Sequence, residues 1–337
     1  MRSKIKVVNE LAEMEGVDVK RVMVGVDIGG TKTAVVLCDQ PVHILWRAEF
    51  STLPEYGPEH AIEKIVALIR RGQAETCSQI RSIGVSCGGP LDRLRGVIQC
   101  PPNLSTWNGV PVKSILENEF GVPCAVENDA DAGAMAEHRF GAGRGCQHLV
   151  FLTLGTGLGA GLILNGQIFR GATSMAGEIG HVRLTETGPN RYNKAGSVEG
   201  WASGAGMALH AADTIRASME AGETTLLAGK LPIVTARDIG LAAAEGDLVA
   251  ARIIEETGRR LGEALAVLVD ILNPERIIMG GLALRFGERL LAPARARMRE
   301  EALPASAEAC SIVTAELGER IGDIAAICVA MGIPITA

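Results

Sequence analysis

The chain has 337 residues, of which 47% are hydrophobic and 21% are charged, so it has too much apolar surface for intrinsic disorder and more length than one core usually takes. Its formal net charge is −6 and 3% of its residues are aromatic, which argues against a basic or stacking surface for nucleic acid. The first residues lack the apolar stretch of a secretory signal, and the uncharged apolar run 149–164, which contains four glycines, is too short to span a membrane, so we expect a cytoplasmic protein.

The first predicted elements are two strands joined by a glycine-rich bend. In RVMVGVDIGGTKTAVVLCD, Asp27 ends the first strand and the bend occupies 29–31. The uncharged run 149–164, LVFLTLGTGLGAGLIL, repeats this strand, glycine-threonine bend and strand, with its bend at 155–157. Two copies of one pattern predict two similarly built halves and hence a duplicated two-domain plan.

Between the two bends, helices alternate with strands. Apolar residues at helical spacing predict a surface helix over 58–71. A short strand over 124–126 runs into a predicted helix that continues to Gly141. Asn128 and Asp129 are candidate N-caps of that helix, which places a carboxylate where the strand becomes a helix.

Loops and a long helix complete the pattern. The segment 101–109, PPNLSTWNG, has the composition of a loop throughout, and the polar segment 185–197 is predicted to be a mobile or ligand-facing loop. Residues 250–272 form a long amphipathic helix that an Asn-Pro pair stops, and a short buried strand then leads to a glycine pair and another helix. Strands alternating with helices predict an α/β fold.

The eight cysteines stand at least ten positions apart, so none forms a local Cys-x-x-Cys pair. Most have apolar neighbours in the sequence. They are predicted to be reduced thiols in the core.

The first bend, DIGGTK, has the groups that a nucleotide phosphate needs. Its glycines allow close backbone approach, Thr31 has a hydroxyl, Lys32 is a cation, and the carboxylate of Asp27 is able to hold the water shell of a metal ion. A glycine-rich hairpin without a ligand is the simpler interpretation of one such bend, and the spacing is not that of a Walker motif. The second bend and the pair Gly280–Gly281 before a helix favour a nucleotide site.

The sequence resembles the ROK family of repressors and sugar kinases, whose kinases have the actin-like ATPase fold. Five motifs carry the resemblance in chain order: DIGGTK, VENDADAGAMAEHRFGAGRG, LTLGTGLGAG, GEIGH and ILNPERIIMGG. It covers the chain from about residue 21 to the C-terminus and implies a duplicated, two-domain α/β protein of the actin-like ATPase (ribonuclease H-like) fold with a cleft between the domains. The expected divisions are an N-terminal extension (1–21), a small domain (22–128 with the final helix, about 320–337) and a large domain (129–319).

The resemblance implies an ATP-dependent kinase that phosphorylates a hexose or an N-acetylhexosamine, with the 6-hydroxyl as the expected acceptor. Asp129 of the END motif matches the general base, and Asp27 is expected in the outer shell of a Mg²⁺ ion that bridges the phosphates. The expected nucleotide-binding residues are Asp27, Gly29, Gly30, Thr31 and Lys32 in the first bend, Thr156 and Gly157 in the second, and Gly280 and Gly281 on the adenosine side. A homodimer is expected from the resemblance alone.

The resemblance also implies a set of sugar-binding residues: Gly89, Asn103, Asn128, Glu178, His181 and Glu199. Amides and carboxylates suit a polyhydroxylated ligand because each donates to or accepts from a particular hydroxyl. Without the resemblance, Glu199 would be interpreted as a solvated loop acid. Glucose, N-acetylmannosamine, another aldohexose and fructose all stay open, since no spacing separates them.

The sequence departs from the family at its zinc motif. Most relatives have a loop C-x-C-G-x-x-G-C-x-E, in which three cysteines bind structural zinc with the histidine. Those cysteine positions are Asn190, Tyr192 and Ser197 here, and such side chains do not replace three thiolates. We therefore expect no zinc, a less certain role for His181, and a loop (185–198) that packing, a partner subunit or the substrate holds.

Two other functions are open to the family. A repressor carries a winged helix-turn-helix before its sugar-binding half, and the roughly twenty residues before the first strand are too few for that module. A non-catalytic sugar-binding or ATP-binding protein would not need Asp27 and Asp129. These observations favour a kinase with a small-molecule sugar substrate and no nucleic-acid or membrane partner.

Overall fold

The structure is a computed structural model, and it describes residues 20–332. Residues 1–19 of the predicted N-terminal extension lie outside the described residues. Within the described part of the chain, no helix has the length and apolar character needed to cross a membrane.

Strands and helices alternate along the described chain. The strands are β1 Arg21–Ile28, β2 Lys32–Gln40, β3 His43–Ser51, β4 Gln79–Cys87, β5 Leu91–Asp92, β6 Val97–Gln99, β7 Asn108–Val110, β8 Cys124–Asn128, β9 Leu149–Leu154, β10 Leu158–Leu164, β11 Gln167–Phe169, β12 Asn190–Arg191, β13 Lys194–Ala195, β14 Arg276–Met279 and β15 Ser311–Thr314. The helices are α1 Gly57–Thr76, α2 Val112–Phe120, α3 Asp129–Phe140, α4 Val198–Ala202, α5 Gly204–Glu220, α6 Ala236–Ala244, α7 Leu248–Leu272, α8 Leu282–Phe286, α9 Glu288–Glu301, α10 Pro304–Ala309 and α11 Ile321–Met331.

The chain folds into two compact units. Among the described residues, the first unit contains 20–132 together with 322–332, and the second unit is Gly133–Ile321. Each unit has its own hydrophobic core. The domain boundaries expected from the sequence stay a prediction, because compactness alone does not show which part folds independently.

Each unit is built on a five-stranded sheet, and the two sheets have the same design. The strand order is β3-β2-β1-β4-β8 in the first unit and β11-β10-β9-β14-β15 in the second. In both sheets the first three strands are antiparallel neighbours and the last two join in parallel. The α/β fold and the duplicated plan predicted from the two glycine-threonine bends are therefore confirmed.

The sheet of the first unit is covered on both faces. Alternate residues of β1 point to opposite sides, so one face packs under α1 with Ile65 and Ile69, and the other packs under α11 with Ile327. Helix α11 lies against two paired glycines at the sheet centre, Gly25 and Gly84. A Cβ atom at Gly84 would lie 2.2 Å from both the carbonyl oxygen of Ala326 and the amide nitrogen of Ala330.

The second unit packs around its long helix, α7. Its apolar stripe belongs to the largest cluster of buried side chains, which also takes in the inner face of β9 and β10. Helices α7 and α9 cross closely, because Gly258 and Gly262 leave room for the carbonyl oxygens of Leu290 and Ala294. The helix ends at Asn273, which has the left-handed conformation (φ 44°), as the Asn-Pro pair predicted.

Three sequence-based expectations need correction. The segment 101–109 is not loop throughout, because Pro102–Leu104 forms a 3₁₀ turn and β7 follows, anchored by the buried side chains of Leu104 and Trp107. The polar segment 185–197 contains the β12–β13 hairpin. Six cysteines are buried, but Cys77 and Cys100 are exposed.

Candidate active site

The first glycine bend joins β1 to β2 and is held by threonines. The amide of Gly29 donates to the carbonyl of Lys32 at 3.0 Å, which closes the bend. Thr52, which follows the last residue of β3, stabilises the bend by two hydrogen bonds. Its hydroxyl donates to the carbonyl of Gly29 at 2.6 Å, and its amide donates to the carbonyl of Thr31 at 3.0 Å. The buried hydroxyl of Thr33 shares a 2.9 Å hydrogen bond with Thr52. The bend thus leaves the side chains of Thr31 and Lys32 exposed.

Gly30 brings the bend against Asn103. A Cβ atom at Gly30 would lie 2.6 Å from the Cβ atom of Asn103 and 2.7 Å from its carbonyl oxygen, so a larger residue would push the two apart. Asn103 is exposed and sits in the 3₁₀ turn Pro102–Leu104. A predicted phosphate residue and a predicted sugar residue are therefore immediate neighbours in the first unit.

The strand-to-helix junction between β8 and α3 carries Asn128 and Asp129. The Asn128 Oδ1 atom accepts hydrogen bonds from the amides of Ala130 at 2.9 Å and Asp131 at 3.4 Å, so Asn128 caps the helix as predicted. The Asp129 Oδ1 atom accepts from the amide of Ala130 at 2.8 Å. Its second oxygen is left for another partner, and the side chain reaches solvent.

The glycine pair after β4 lies beside this junction. Strands β4 and β8 are parallel and pair at their last residues, Cys87 with Asn128. A Cβ atom at Gly89 would lie 3.2 Å from the Asn128 Nδ2 atom, and one at Gly88 would lie 3.9 Å from the Asp129 Oδ2 atom. The carboxyl ends of β1, β4 and β8 thus bring together the first bend, the glycine pair and the junction.

Asp27 lies among other carboxylates in the first unit. Burial, and then the charges of Asp129 and Asp323, raise its pKa to about 7, while Ser86 and Lys32 oppose the rise. The N-terminus of α11 also lies against Asp27, because a Cβ atom at Gly322 would lie 2.2 Å from the Asp27 Oδ2 atom. Asp323 is held at this place by the Nε atom of Arg47, at 2.7 Å. Desolvation by the surrounding protein atoms raises the pKa of Asp129, although part of its side chain is open to solvent, and the hydrogen bond from the amide of Ala130 opposes the rise.

The donor set of the first unit fits a magnesium ion in an outer-shell role. Within residues 20–332 there is no group of three or more His, Cys, Asp or Glu side chains that would hold a metal ion by themselves. Mg²⁺ commonly binds through one or two carboxylates, phosphate oxygens and water, so the single carboxylate of Asp27 is compatible with the expected outer-shell role. A divalent cation beside Asp27 would reduce the repulsion between its carboxylate and those of Asp129 and Asp323, which contributes to its raised pKa.

Replacing Asp27 with Asn is expected to stabilise the protein above pH 7. The folded pKa of about 7 exceeds the ordinary 3.8, so the folded state binds more protons, and stability falls as pH rises from about 4 to 7. The uncharged amide avoids this cost, so D27N should gain about 1–3 kcal/mol at pH 8 and little at pH 4. Urea unfolding at both pH values measures it, with the exposed Asp213→Asn as control; an equal gain at both would contradict the prediction.

The second glycine bend, between β9 and β10, is held by the start of α5. The amide of Gly155 donates to the carbonyl of Gly157 at 3.0 Å. The first amides of α5 point at the bend, with Gly204 donating to Gly155 at 2.8 Å and Ala205 donating to Thr156 at 3.3 Å. The bend is thus fixed by backbone, and the side chain of Thr156 is exposed.

The pair Gly280–Gly281 follows β14 and lies beside the same strand end. The amide of Gly280 donates to the carbonyl of Leu152 at 2.8 Å. Gly281 has φ +58° and approaches β9 so closely that a Cβ atom would lie 1.9 Å from the carbonyl oxygen of Leu154. Only glycine fits there, on grounds of both conformation and space.

Glu199 is buried at the start of α4 and faces the second bend. Its side chain is 9% exposed, its Oε2 atom accepts from the amide of Leu158 at 3.2 Å, and its Oε1 atom lies 3.4 Å from the Nε atom of Arg191. A Cβ atom at Gly157 would lie 3.1 Å from Oε2. Interpreting Glu199 from its position alone as a solvated loop acid would therefore be wrong.

Glu178 and His181 are more open. Their side chains are 43% and 54% exposed, and the His181 Nε2 atom lies 4.0 Å from the Glu178 Oε2 atom. The turn Ile179–His181 between them explains how the two side chains come together. The structure thus groups Glu178, His181, Glu199 and the second bend in one part of the second unit.

Several site residues carried no recognisable signal in the sequence. Thr52 and Arg47 lie at and within β3, a strand that the sequence analysis did not identify, and Arg191 lies in the polar segment. Gly322 reaches Asp27 from a helix that is almost 300 positions away in the sequence. Such contacts depend on tertiary packing and have no local pattern.

Two α/β units of one topology, each with a glycine-threonine bend after its central strand, define the class of two-unit proteins with the actin-like ATPase fold. The structure aligns with that of a ROK family glucokinase from Streptomyces griseus in complex with glucose and AMPPNP, with a TM-score of 0.78 and 32% identity over 92% of this chain and 99% of that one.

A model of the ROK family matches residues 23–332, so the chain belongs to the ROK family. A glucokinase from Halalkalibacterium halodurans is 34% identical over 89% of this chain and 92% of its own length. A xylose repressor from Caldicellulosiruptor bescii is 28% identical over 88% of this chain and 75% of its own length. The family resemblance expected from the five motifs is confirmed.

Proposed function

We propose that this chain is an ATP-dependent sugar kinase, which transfers the γ-phosphoryl group of ATP to a hydroxyl of a hexose or an N-acetylhexosamine. The 6-hydroxyl is the proposed acceptor. The similarity to glucokinases over nearly the whole chain supports the reaction class. The observation that carries the proposal is the carboxylate of Asp129, which stands at the β8–α3 junction beside Asp27 and the glycine pair Gly88–Gly89.

Asp129 is the proposed general base. Its Oδ1 atom is held by the amide of Ala130, so the carboxylate has a fixed orientation and Oδ2 is available to accept the proton of a sugar hydroxyl. Desolvation raises the pKa of Asp129, which makes the carboxylate a stronger base than one in water. Phosphoryl transfer otherwise requires positioning and charge neutralisation, which other residues supply.

The nucleotide is proposed to bind through backbone and cation. Gly29, Gly30, Thr31 and Lys32 of the first bend and Thr156 and Gly157 of the second bend would contact phosphate oxygens. Gly280 and Gly281 would contact the adenosine. Asp27 would orient the water shell of Mg²⁺, and the ion would neutralise phosphate charge when bound. Because Asp27 has a pKa near 7 without a cation, Mg²⁺ and nucleotide should release a proton on binding below that pH.

The sugar is proposed to contact amide, carboxylate and imidazole side chains and the glycine Gly89. Gly89, Asn103 and Asn128 belong to the first unit, and Glu178, His181 and Glu199 belong to the second. The Nδ2 group of Asn128 is a donor directed to the side of Gly89, because Oδ1 caps α3. The carboxylate of Glu199 is held in one orientation by the amide of Leu158 and by Arg191, which favours a sugar hydroxyl as its further partner.

The test is ADP release with a panel of sugars. Glucose, mannose, N-acetylglucosamine, N-acetylmannosamine and fructose are each assayed with ATP and Mg²⁺, and NMR of the product identifies the phosphorylated oxygen. Turnover with at least one sugar, phosphorylated at its 6-hydroxyl, is expected. Sugar binding by calorimetry without any turnover, together with sequence-specific retardation of DNA, would instead support a sugar-responsive regulator.

A further inference from the structure

Residues 183–199, called the 183–199 segment below, run from just after the 3₁₀ turn Ile179–His181 into the start of α4. Side-chain contacts hold this segment in its conformation. Tyr192 has a left-handed backbone (φ 50°), and its ring stacks on that of His181 with centroids 5.8 Å apart. Ser197 caps α4 by accepting a hydrogen bond from the amide of Gly200 at 3.1 Å. Two of the three positions that match zinc-binding cysteines in the family, Tyr192 and Ser197, thus hold the segment by stacking and by capping.

Arg191 lies between Tyr192 and Glu199. Its guanidinium is 4.9 Å from the centroid of the Tyr192 ring, and its Nη2 atom donates to the Tyr192 hydroxyl at 3.3 Å. Its Nε atom lies 3.4 Å from the Oε1 atom of Glu199. Arg191 belongs to the two-residue strand β12 at the surface of the unit. Its contacts with the Tyr192 ring keep the guanidinium facing Glu199.

Glu199 links this arrangement to the second bend. Its Oε2 atom accepts the amide hydrogen of Leu158, the first residue of β10, and lies beside Gly157. The side chain is 9% exposed while that of Arg191 is 25% exposed, so the pair is largely removed from water. A carboxylate in such a place keeps one orientation only while a cation or sufficient hydrogen-bond donors face it.

We propose that Arg191 is a positioning residue, which holds the carboxylate of Glu199 aimed at the second bend, with Tyr192 fixing the guanidinium. The inference rests on the proposed function, because it assumes that Glu199 contacts the sugar. Without Arg191, the carboxylate is free to turn toward water, and the sugar then loses an oriented acceptor. In this proposal the guanidinium of Arg191 supplies the positive charge that orients Glu199.

The test compares Arg191→Met with Arg191→Lys and with a matched control, Arg183→Met. Arg183 belongs to the same segment and is exposed, and among the described residues its guanidinium has no ion pair. R191M should raise the KM for the sugar about tenfold while the KM for ATP changes by less than about twofold. R191K should recover part of the loss because it keeps the charge, and R183M should resemble the wild type.

A second measurement does not depend on kinase activity. Hydrogen exchange of the free protein should become faster in residues 155–160 and 185–199 of R191M, because the amide of Leu158 loses its oriented acceptor, and should be unchanged in R183M. Equal exchange in R191M and the wild type would overturn the positioning role even if no sugar is phosphorylated. Faster exchange in a protein without turnover would retain the contact but reject the proposed function. Equal losses of kcat and of affinity for both substrates in R191M would also overturn it, since they indicate general unfolding.

Discussion

Replacing Asp129 with asparagine is expected to lower kcat for sugar phosphorylation by about 10²–10⁴-fold, the usual contribution of a general base. The amide has nearly the same shape and its Oδ1 atom still accepts the hydrogen bond from the amide of Ala130, so the junction should keep its fold. It cannot take a proton from a hydroxyl. Sugar affinity measured by calorimetry should therefore change little while turnover is lost.

The control for this prediction is Asp213→Asn. Asp213 lies on α5 with its side chain 83% exposed, and its carboxylate pairs with Arg216 at 2.8 Å. The substitution makes the same chemical change at a surface site, where such a pair contributes little. D213N should have wild-type kcat. A D129N protein with wild-type kcat and an unchanged unfolding curve would remove Asp129 from the mechanism.

Replacing Gly84 with alanine is expected to destabilise the first unit by about 3 kcal/mol or more, which is at the upper end of the cost of overpacking. The new methyl group would lie 2.2 Å from backbone atoms of Ala326 and Ala330. Because these are backbone atoms, relief requires α11 to move away from the centre of the sheet. The same helix places Gly322 and Asp323 next to Asp27, so activity should fall with stability.

Urea unfolding of G84A and of a control, Gly229→Ala, measures this effect. Gly229 lies in a 3₁₀ turn of the second unit with nothing within 4 Å of a Cβ atom. Its φ is not in the left-handed region, so G229A should be neutral or stabilise by roughly 0.4–1 kcal/mol. If the two variants unfold alike, α11 does not pack on the sheet as described.

The local pattern of the sequence was sufficient for the elements that carry their own signal. Helix α7 has a long amphipathic stripe and a stop at Asn273, and α3 begins at the caps Asn128 and Asp129, so both were predicted close to their observed bounds. Strand β3 was missed because its residues are only half-buried in alternation. Segment 101–109 was misjudged because its composition is that of a loop, while Leu104 and Trp107 are buried in the core.

The residues of the proposed site also fall into two groups, those that a local sequence pattern predicts and those that depend on tertiary packing. The glycine bends and the acid at the strand-to-helix junction follow from residue type and order, because backbone phosphate binding and capping are local properties. Burial of Glu199 behind Arg191, and the raised pKa of Asp27 between Asp129 and Asp323, do not follow from any local pattern. They depend on which side chains the packing within each unit brings within a few ångströms of each other.

The sequence by itself determined the duplicated α/β plan, the family and the kinds of residue proposed for chemistry, since hydrophobic periodicity, glycine bends and helix caps are encoded over a few neighbouring positions. Only the tertiary structure decided that Thr52 braces the first bend and that α11 packs against Gly84 and reaches Asp27. It also decided that Arg191 faces Glu199. Electrostatic and steric interactions of this kind depend on distance in space, and the distance along the chain contains no information about them.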